Sequence, residues 1–280
     1  MDIYYVNSKG SRIDFSDWPI AVEDVTQLFG RDWDGREKAN KQRNRTRVSY
    51  FYRTSYQKKL DIMIFADSEN EYKELMNSLN EITDIDIINN QPGKLYVGDS
   101  YLECYIRDTD PGKYEELFYE IENTLTIFAP YPFWINESTF EFEKIGQTGA
   151  SGEYLNFPYN FPYNFTPALS GFGTIRNSLR VPCDFQMIIF GPAVSPSVLV
   201  DSHTYAVDTT IMDNEYLTID SRYNTVVKTE KDGTKTNEYD KRGKADSVFE
   251  KIQAGESTVV WNGSFGIQIT LFEGRSEPKW

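Results

Sequence analysis

From Gly171 to Glu273 the sequence breaks into short runs closed off by turn-forming residues. The runs are GTIRNS, VPCDFQMIIFG, PSVLVD, TYAVDT, EYLTID, NTVVKTE, STVVWN and FGIQITLFE. β-Branched and aromatic residues suit a pleated, half-buried strand. Asp232-Gly233 in KDGT and Asn262-Gly263 in WNGS are hairpin-turn pairs. Strands at this density, with no helical stretch longer than ADSVFEKI, imply two facing sheets. A β-sandwich is therefore expected for the second half.

Just before these runs, FPYN occurs twice in YLNFPYNFPYNF, Tyr154 to Phe165. Phe157, Tyr159, Phe161, Tyr163 and Phe165 fall on every second residue, so an extended chain puts all five rings on one face. Pro158 and Pro162 cannot donate to a ladder, which assigns such a strand to a sheet edge. One reading is an edge strand laid over a core. The other is an exposed stacking platform for sugars built on Tyr159 and Tyr163. Trp261, in VVWNGSF, is the second residue with both readings.

The first half alternates strands with one helix. RIDFSDW, VSYFYR and KKLDIMIFAD read as strands, with Leu60, Ile62 and Ile64 pointing one way. Ser68 and Glu71 form a capping box, and Tyr72, Leu75, Met76, Leu79 and Ile82 follow at spacings of three and four. This predicts one amphipathic helix of about three to four turns, lying on a sheet. DIDII, KLYVGD, YLECYIRD and LFYEIENTLTIF read as further strands. Two prolines and three large aromatics in APYPFWI mark the boundary between a domain at 1–133 and a second at 134–280.

Charge is unevenly spread. The net charge is −14, yet Arg31 to Lys59 carries ten Lys or Arg against Asp32, Asp34 and Glu37, about +7, leaving about −21 elsewhere. RDWDGREKANKQRNRTR reads as a loop or arm. Arg36, Lys38, Lys41, Arg43, Arg45 and Arg47 are its candidate inter-subunit contacts, because the acidic remainder of a second copy supplies a complementary surface. A solvated loop, or an arm that binds DNA, are the other readings. An acidic chain repels phosphate backbones, so specific nucleic-acid binding by the whole protein is disfavoured.

Catalytic signatures are missing from the sequence. It has no G-x-S-x-G, P-loop or H-E-x-x-H, and His203 is the only histidine. GFGTIR lacks a third glycine and a following helix. DTDPG, Asp108 to Gly112, reads as a tight turn rather than a calcium loop. No enzyme activity, metal or cofactor is expected. Cys104 and Cys183 sit in apolar runs and are expected to be buried, reduced thiols. No apolar run reaches a membrane span, and MDIYYVNSKG lacks a signal-peptide layout, so synthesis in a cytosol is expected.

Several stretches, in order, resemble the siphophage distal tail protein (Dit) family of baseplate hub components. They are APYPFWI, NFPYNFPYNF, IRNSLRVPCDFQMIIFGPAVSPSVLV, EYLTIDSRYNTVV, SVFEKIQAGESTVVW and ITLFEGRSEPKW. The first half is similar by layout rather than by motif. The resemblance implies a mainly β fold: an N-terminal β-sandwich or split-barrel belt domain with one α-helix, then a galectin-like β-sandwich. It also implies a hexameric ring at the virion tail tip around a channel for DNA. The implied partners are further copies of itself, the tail tube protein, the tape measure protein, a tail-associated fibre protein and receptor-binding proteins. No catalytic residues carry over, and SHTYAVD around His203 lacks the galectin His-x-Asn-x-Arg pattern. A host cell-wall carbohydrate adhesin acting through the sandwich is the alternative.

Overall fold

The computed structural model describes residues 2–40, 45–113, 120–145 and 171–279, without the side chains of Asn40 and Arg45. The protein is mainly β, and Glu69–Ile88 is the one α-helix among the described residues. No helix of the described residues is long and apolar enough to cross a membrane. The chain forms two compact units, Met1–Asn136 with Gly274–Trp280, and Glu137–Glu273.

In the first unit, the strand Tyr56–Phe65 pairs antiparallel with Glu120–Ala129 on one side and with Ile20–Val22 on the other. Leu60, Ile62 and Ile64 all face the core, at 1% exposure or less, as their spacing predicts. Ile3–Val6 lies between Arg12–Asp14 and Gly93–Val97. The long strand Ser100–Asp110 serves both groups. Its first half pairs with Gly93–Val97, and its second half pairs with Glu120–Ala129 across a register shift at Thr126/Ile127. Sharing one strand in this way bends the layer over a single core that includes Leu60, Leu95, Leu102 and Ile127.

The helix closes that core. The Ser68 hydroxyl accepts from Glu71 N (3.2 Å). The returning bond reaches one residue further than in the usual box, since Asp67 N donates to Glu71 Oε2 (2.8 Å). Tyr72 and Leu79 are buried, with Leu75, Met76 and Ile82 packed beside them. The helix runs 20 residues, about five and a half turns, so Asp84–Ile88, read above as a strand, is its last turn.

A buried carboxylate explains that difference. Asp86 is fully buried. Its Oδ2 accepts from the Tyr5 hydroxyl (2.5 Å), and its Oδ1 from Ser8 N (2.7 Å). These long-range bonds hold the helix past the point where its β-branched residues would end it. Gly93 leaves room for the pair, because a Cβ there would sit 2.4 Å from the Tyr5 hydroxyl and 2.7 Å from Asp86 Oδ2.

The second unit is a sandwich. One sheet holds Gly171–Asn177, Gly255–Trp261, Ser197–Val200 and His203–Ala206, in that order. The other orders Lys235–Asn237, Thr225–Thr229, Tyr216–Asp220, Asp184–Phe190 and the strand from Ile267. Every run named for this half overlaps one of these strands. Inward residues alternate along them: Phe185, Met187 and Ile189 are fully buried, as are Leu217 and Ile219.

The units divide at Asn136/Glu137 rather than at 133/134, and the last seven residues rejoin the first. Packing gives the reason. Trp134 is fully buried in the first core, edge-on to Tyr56 at 6.4 Å between ring centroids. Lys279 N donates to Ser100 Oγ (3.3 Å). Asp108–Asp110 belongs to a strand rather than a turn.

Two outcomes are expected. Asp86→Ala strips an acceptor from Tyr5 and Ser8, and costs about 1–3 kcal/mol of stability, read as a lower urea midpoint; Asp86→Asn loses less. Cys104 and Cys183 are free and buried. Burial pushes the Cys104 thiol well up, and burial with the Glu273 carboxylate pushes Cys183 up to about 12. Iodoacetamide at pH 8 therefore labels neither thiol in the folded protein and both in urea, as counted by mass spectrometry.

Candidate functional site

The basic stretch is a β-hairpin, not a loop. Asp34–Asn40 and Arg45–Tyr52 pair only with each other among the described residues. Low apolar content hid the first strand, whose residues are held by ladder bonds rather than by burial. A lone two-stranded hairpin is marginal in water, so what steadies this one matters.

Its root does. Trp33 and Arg53 flank the hairpin. The Arg53 guanidinium lies 5.9 Å from the Trp33 ring, 5.7 Å from Tyr56 and 5.8 Å from Phe133. Arg53 Nη1 donates to Pro132 O (2.7 Å) and Ser276 O (3.3 Å). Arg31 approaches Glu277 at 3.6 Å. Cation–aromatic contact and two carbonyl bonds thus fix both ends of the hairpin to the first unit.

A register shift sorts its two faces. Arg36 pairs with Tyr50 but Glu37 pairs with Val48, so Ser49 is the extra residue of a bulge. Beyond the bulge the alternation of the second strand is reset. One face then carries Asp34, Arg36, Lys38 and Arg47 with Tyr50 and Tyr52. The other carries Gly35, Glu37, Ala39, Thr46, Val48 and Phe51. Ring contacts agree with this sorting. Tyr50 and Tyr52 stand 5.8 Å apart, and a Cβ on Gly35 would lie 3.2 Å from the Phe51 ring.

Both faces are open. Val48 is 40% exposed, Tyr50 52%, Phe51 61% and Tyr52 40%. Arg36, Lys38 and Arg47 have no carboxylate partner among the described residues. The hairpin therefore offers three cations and two tyrosines beside Asp34 on one side, and Val48 and Phe51 beside Glu37 and Thr46 on the other, both exposed. The structure brings Arg36, Lys38 and Arg47 together. The backbone of Arg45 lies in the second strand, and Lys41, Arg43, Tyr159 and Tyr163 lie outside the described residues. Sequence reasoning missed Tyr50, Phe51 and Tyr52 as exposed site residues and missed the bulge; VSYFYR is a strand, as its composition predicts, in Arg45–Tyr52.

Trp261 is not a contact residue. It is 6% exposed, its Nε1 donates to Phe265 O (2.9 Å), and its ring packs 5.6 Å from Phe142. A Cβ on Gly171 would sit 2.3 Å from the indole. No face of the ring is open for a sugar to stack on, so the core reading holds.

No protein-family model and no curated protein matches the chain. Solved structures do match. The Dit protein of phage SPP1, described as a paradigm of the hub adsorption apparatus in phages infecting Gram-positive hosts, aligns with a TM-score of 0.59. It shares 9% identity, with 98% of this chain and 99% of that one covered. Two structures of the phage P2 baseplate in its activated conformation, one with Ca and one with Sr, align with TM-scores of 0.64 and 0.65. Their identities are 12% and 13%, and 99% of each chain is covered.

The chain shares the fold of these phage proteins. At such identities the common property is architecture, and it spans both units. The charge pattern of the hairpin lies in side chains that a comparison of folds does not read.

The root predicts a measurable coupling. Arg53→Ala removes the guanidinium from Trp33, Tyr56 and Phe133. Amide exchange in 34–40 and 45–52 is expected to speed up at least tenfold, while the strand Tyr56–Phe65 keeps its protection.

Proposed function

We propose that this chain is a structural, non-enzymatic subunit of a phage tail baseplate, a hub that joins the tail tube to the adsorption apparatus. Six copies close into a ring around a channel for DNA. Its partners are then copies of itself, the tail tube protein, the tape measure protein, a tail-associated fibre protein and receptor-binding proteins. Its place is the virion tail tip, after synthesis in the host cytoplasm.

One observation carries the reading: the match to the SPP1 hub protein runs over 98% of this chain, through both units rather than one common sandwich. The hairpin supports it physically. Closed rings need two different complementary patches on each subunit. The two-faced hairpin is one. The chain outside Arg31–Lys59, at about −21, supplies charge for the other.

Native mass spectrometry and negative-stain microscopy test this. A six-subunit annulus is the expected species, weakened in 1 M salt, where screening shortens to about 3 Å. Reversing Arg36, Lys38 and Arg47 to Glu is expected to shift the protein toward monomer at least tenfold, with unchanged far-UV circular dichroism. A stable dimer that forms no ring, or reversal without effect on assembly, contradicts the reading.

A further inference from the structure

The hairpin, as one patch of a ring contact, needs a counterpart, and the helix Glu69–Ile88 presents one. Asn70, Glu74, Asn77, Glu81, Asp84 and Ile88 recur at alternating spacings of four and three, so they fall on one stripe. All six are exposed, on the side of the helix away from buried Tyr72 and Leu79. The helix holds six acids against Lys73 alone, and Lys73 is already paired with Glu69 at 2.8 Å.

Two of these acids stand against local preference. Glu81 and Asp84 lie three residues apart on the same stripe, and neither has a cation partner among the described residues. Like charges at neighbouring helix positions repel. Both also lie toward the C-terminal end, where the dipole is negative and the last turn has no basic residue. Asp86 beside them is accounted for by its bonds to Tyr5 and Ser8. Glu81 and Asp84 have no such partner. Beyond them Ile88 is 80% exposed, a large apolar side chain at the end of a polar stripe.

The hairpin matches this stripe in charge and in spacing. On its cationic face Arg36 stands beside Tyr50 and Lys38 beside Arg47, with Asp34 and Tyr52 at the root. Successive pairs are two residues apart, about 6.5 Å, so the three pairs span about 13 Å. On the helix, Asp84 and Glu81 lie about 6 Å and about 10 Å before Ile88. Within one copy, no ion pair joins the two sets among the described residues.

We propose that the cationic face of the hairpin docks on the Glu74–Ile88 stripe of the next copy. Arg36 meets Asp84, Lys38 and Arg47 meet Glu81, and Tyr52 covers Ile88. The reverse direction sets Asp34 among the acids and the cations over Ile88, so charge selects one orientation. Hairpin and helix are different patches, which makes the contact heterologous, the kind that closes into rings. The pairing rests on the ring reading and adds the surface that completes it.

Charge exchange on the full chain, read by native mass spectrometry, tests the pairing. Glu81→Lys with Asp84→Lys is expected to lower the ring population at least tenfold, with unchanged far-UV circular dichroism, since lysines suit the C-terminal part of a helix. Adding Arg36→Glu, Lys38→Glu and Arg47→Glu to the same chain is expected to restore the ring. An intact ring in the helix variant, or no recovery in the combined chain, overturns the pairing and leaves the hub reading standing. Should the helix variant misfold, Glu81→Gln with Asp84→Asn decides: a weakened ring is expected, and an unchanged one overturns the pairing. An unaltered protein that forms no ring contradicts the hub reading, and the pairing falls with it.

Discussion

Arg53 is the contact on which the candidate site depends. Its guanidinium touches or bonds residues that are far apart in sequence: Trp33, Tyr56, Pro132, Phe133 and Ser276. One flat cation joins the start of the hairpin, its end, the exit from the first unit and the returning tail. Its planar fork allows this, since it stacks on rings through its faces and donates through its edge. A lysine has the charge but not the shape. The Nε of Arg53 is buried without a hydrogen-bond partner among the described residues. Retaining that cost implies that the ring contacts and the two carbonyl bonds outweigh it.

Much of the architecture was legible because local chemistry and tertiary packing agree. Ser68 caps the helix in the sequence and in the structure. The eight runs of the second half became strands because their alternation matches a sandwich interior. Asn177, in the stretch IRNSLR, closes a turn. The Asn177 side chain accepts from Leu179 N (2.9 Å) and donates to Val181 O (2.9 Å), so it supplies both ends of the turn. The run EYLTID ends in Asp220, whose Oδ1 accepts from Arg222 N (2.9 Å).

The misreadings share one cause: a partner far away in sequence. Asp84–Ile88 has strand-like composition, but Asp86 is bonded to Tyr5 and Ser8. Trp261, beside an Asn-Gly turn, has two readings in the sequence, and only Gly171 and Phe142 packed against its ring leave the core one. Asp34–Asn40 has no apolar period and forms a strand because Arg45–Tyr52 offers a ladder.

The hairpin also poses a problem of negative selection. An exposed two-stranded ribbon with an apolar face invites edge-to-edge aggregation. Three features oppose that here. The bulge at Ser49 adds twist and breaks the regular edge. The opposite face is cationic. Asp34 to Tyr52 carries six Lys or Arg against two acids, about +4, so two such hairpins repel. Repulsion between like hairpins penalises the symmetric, hairpin-to-hairpin dimer. An acidic surface elsewhere on a second copy has no such penalty. What remains favourable is contact between unlike patches, and that is the class of contact that generates rings when the rotation closes. The charge pattern that opposes aggregation thus also favours contacts between unlike patches over contacts between like ones.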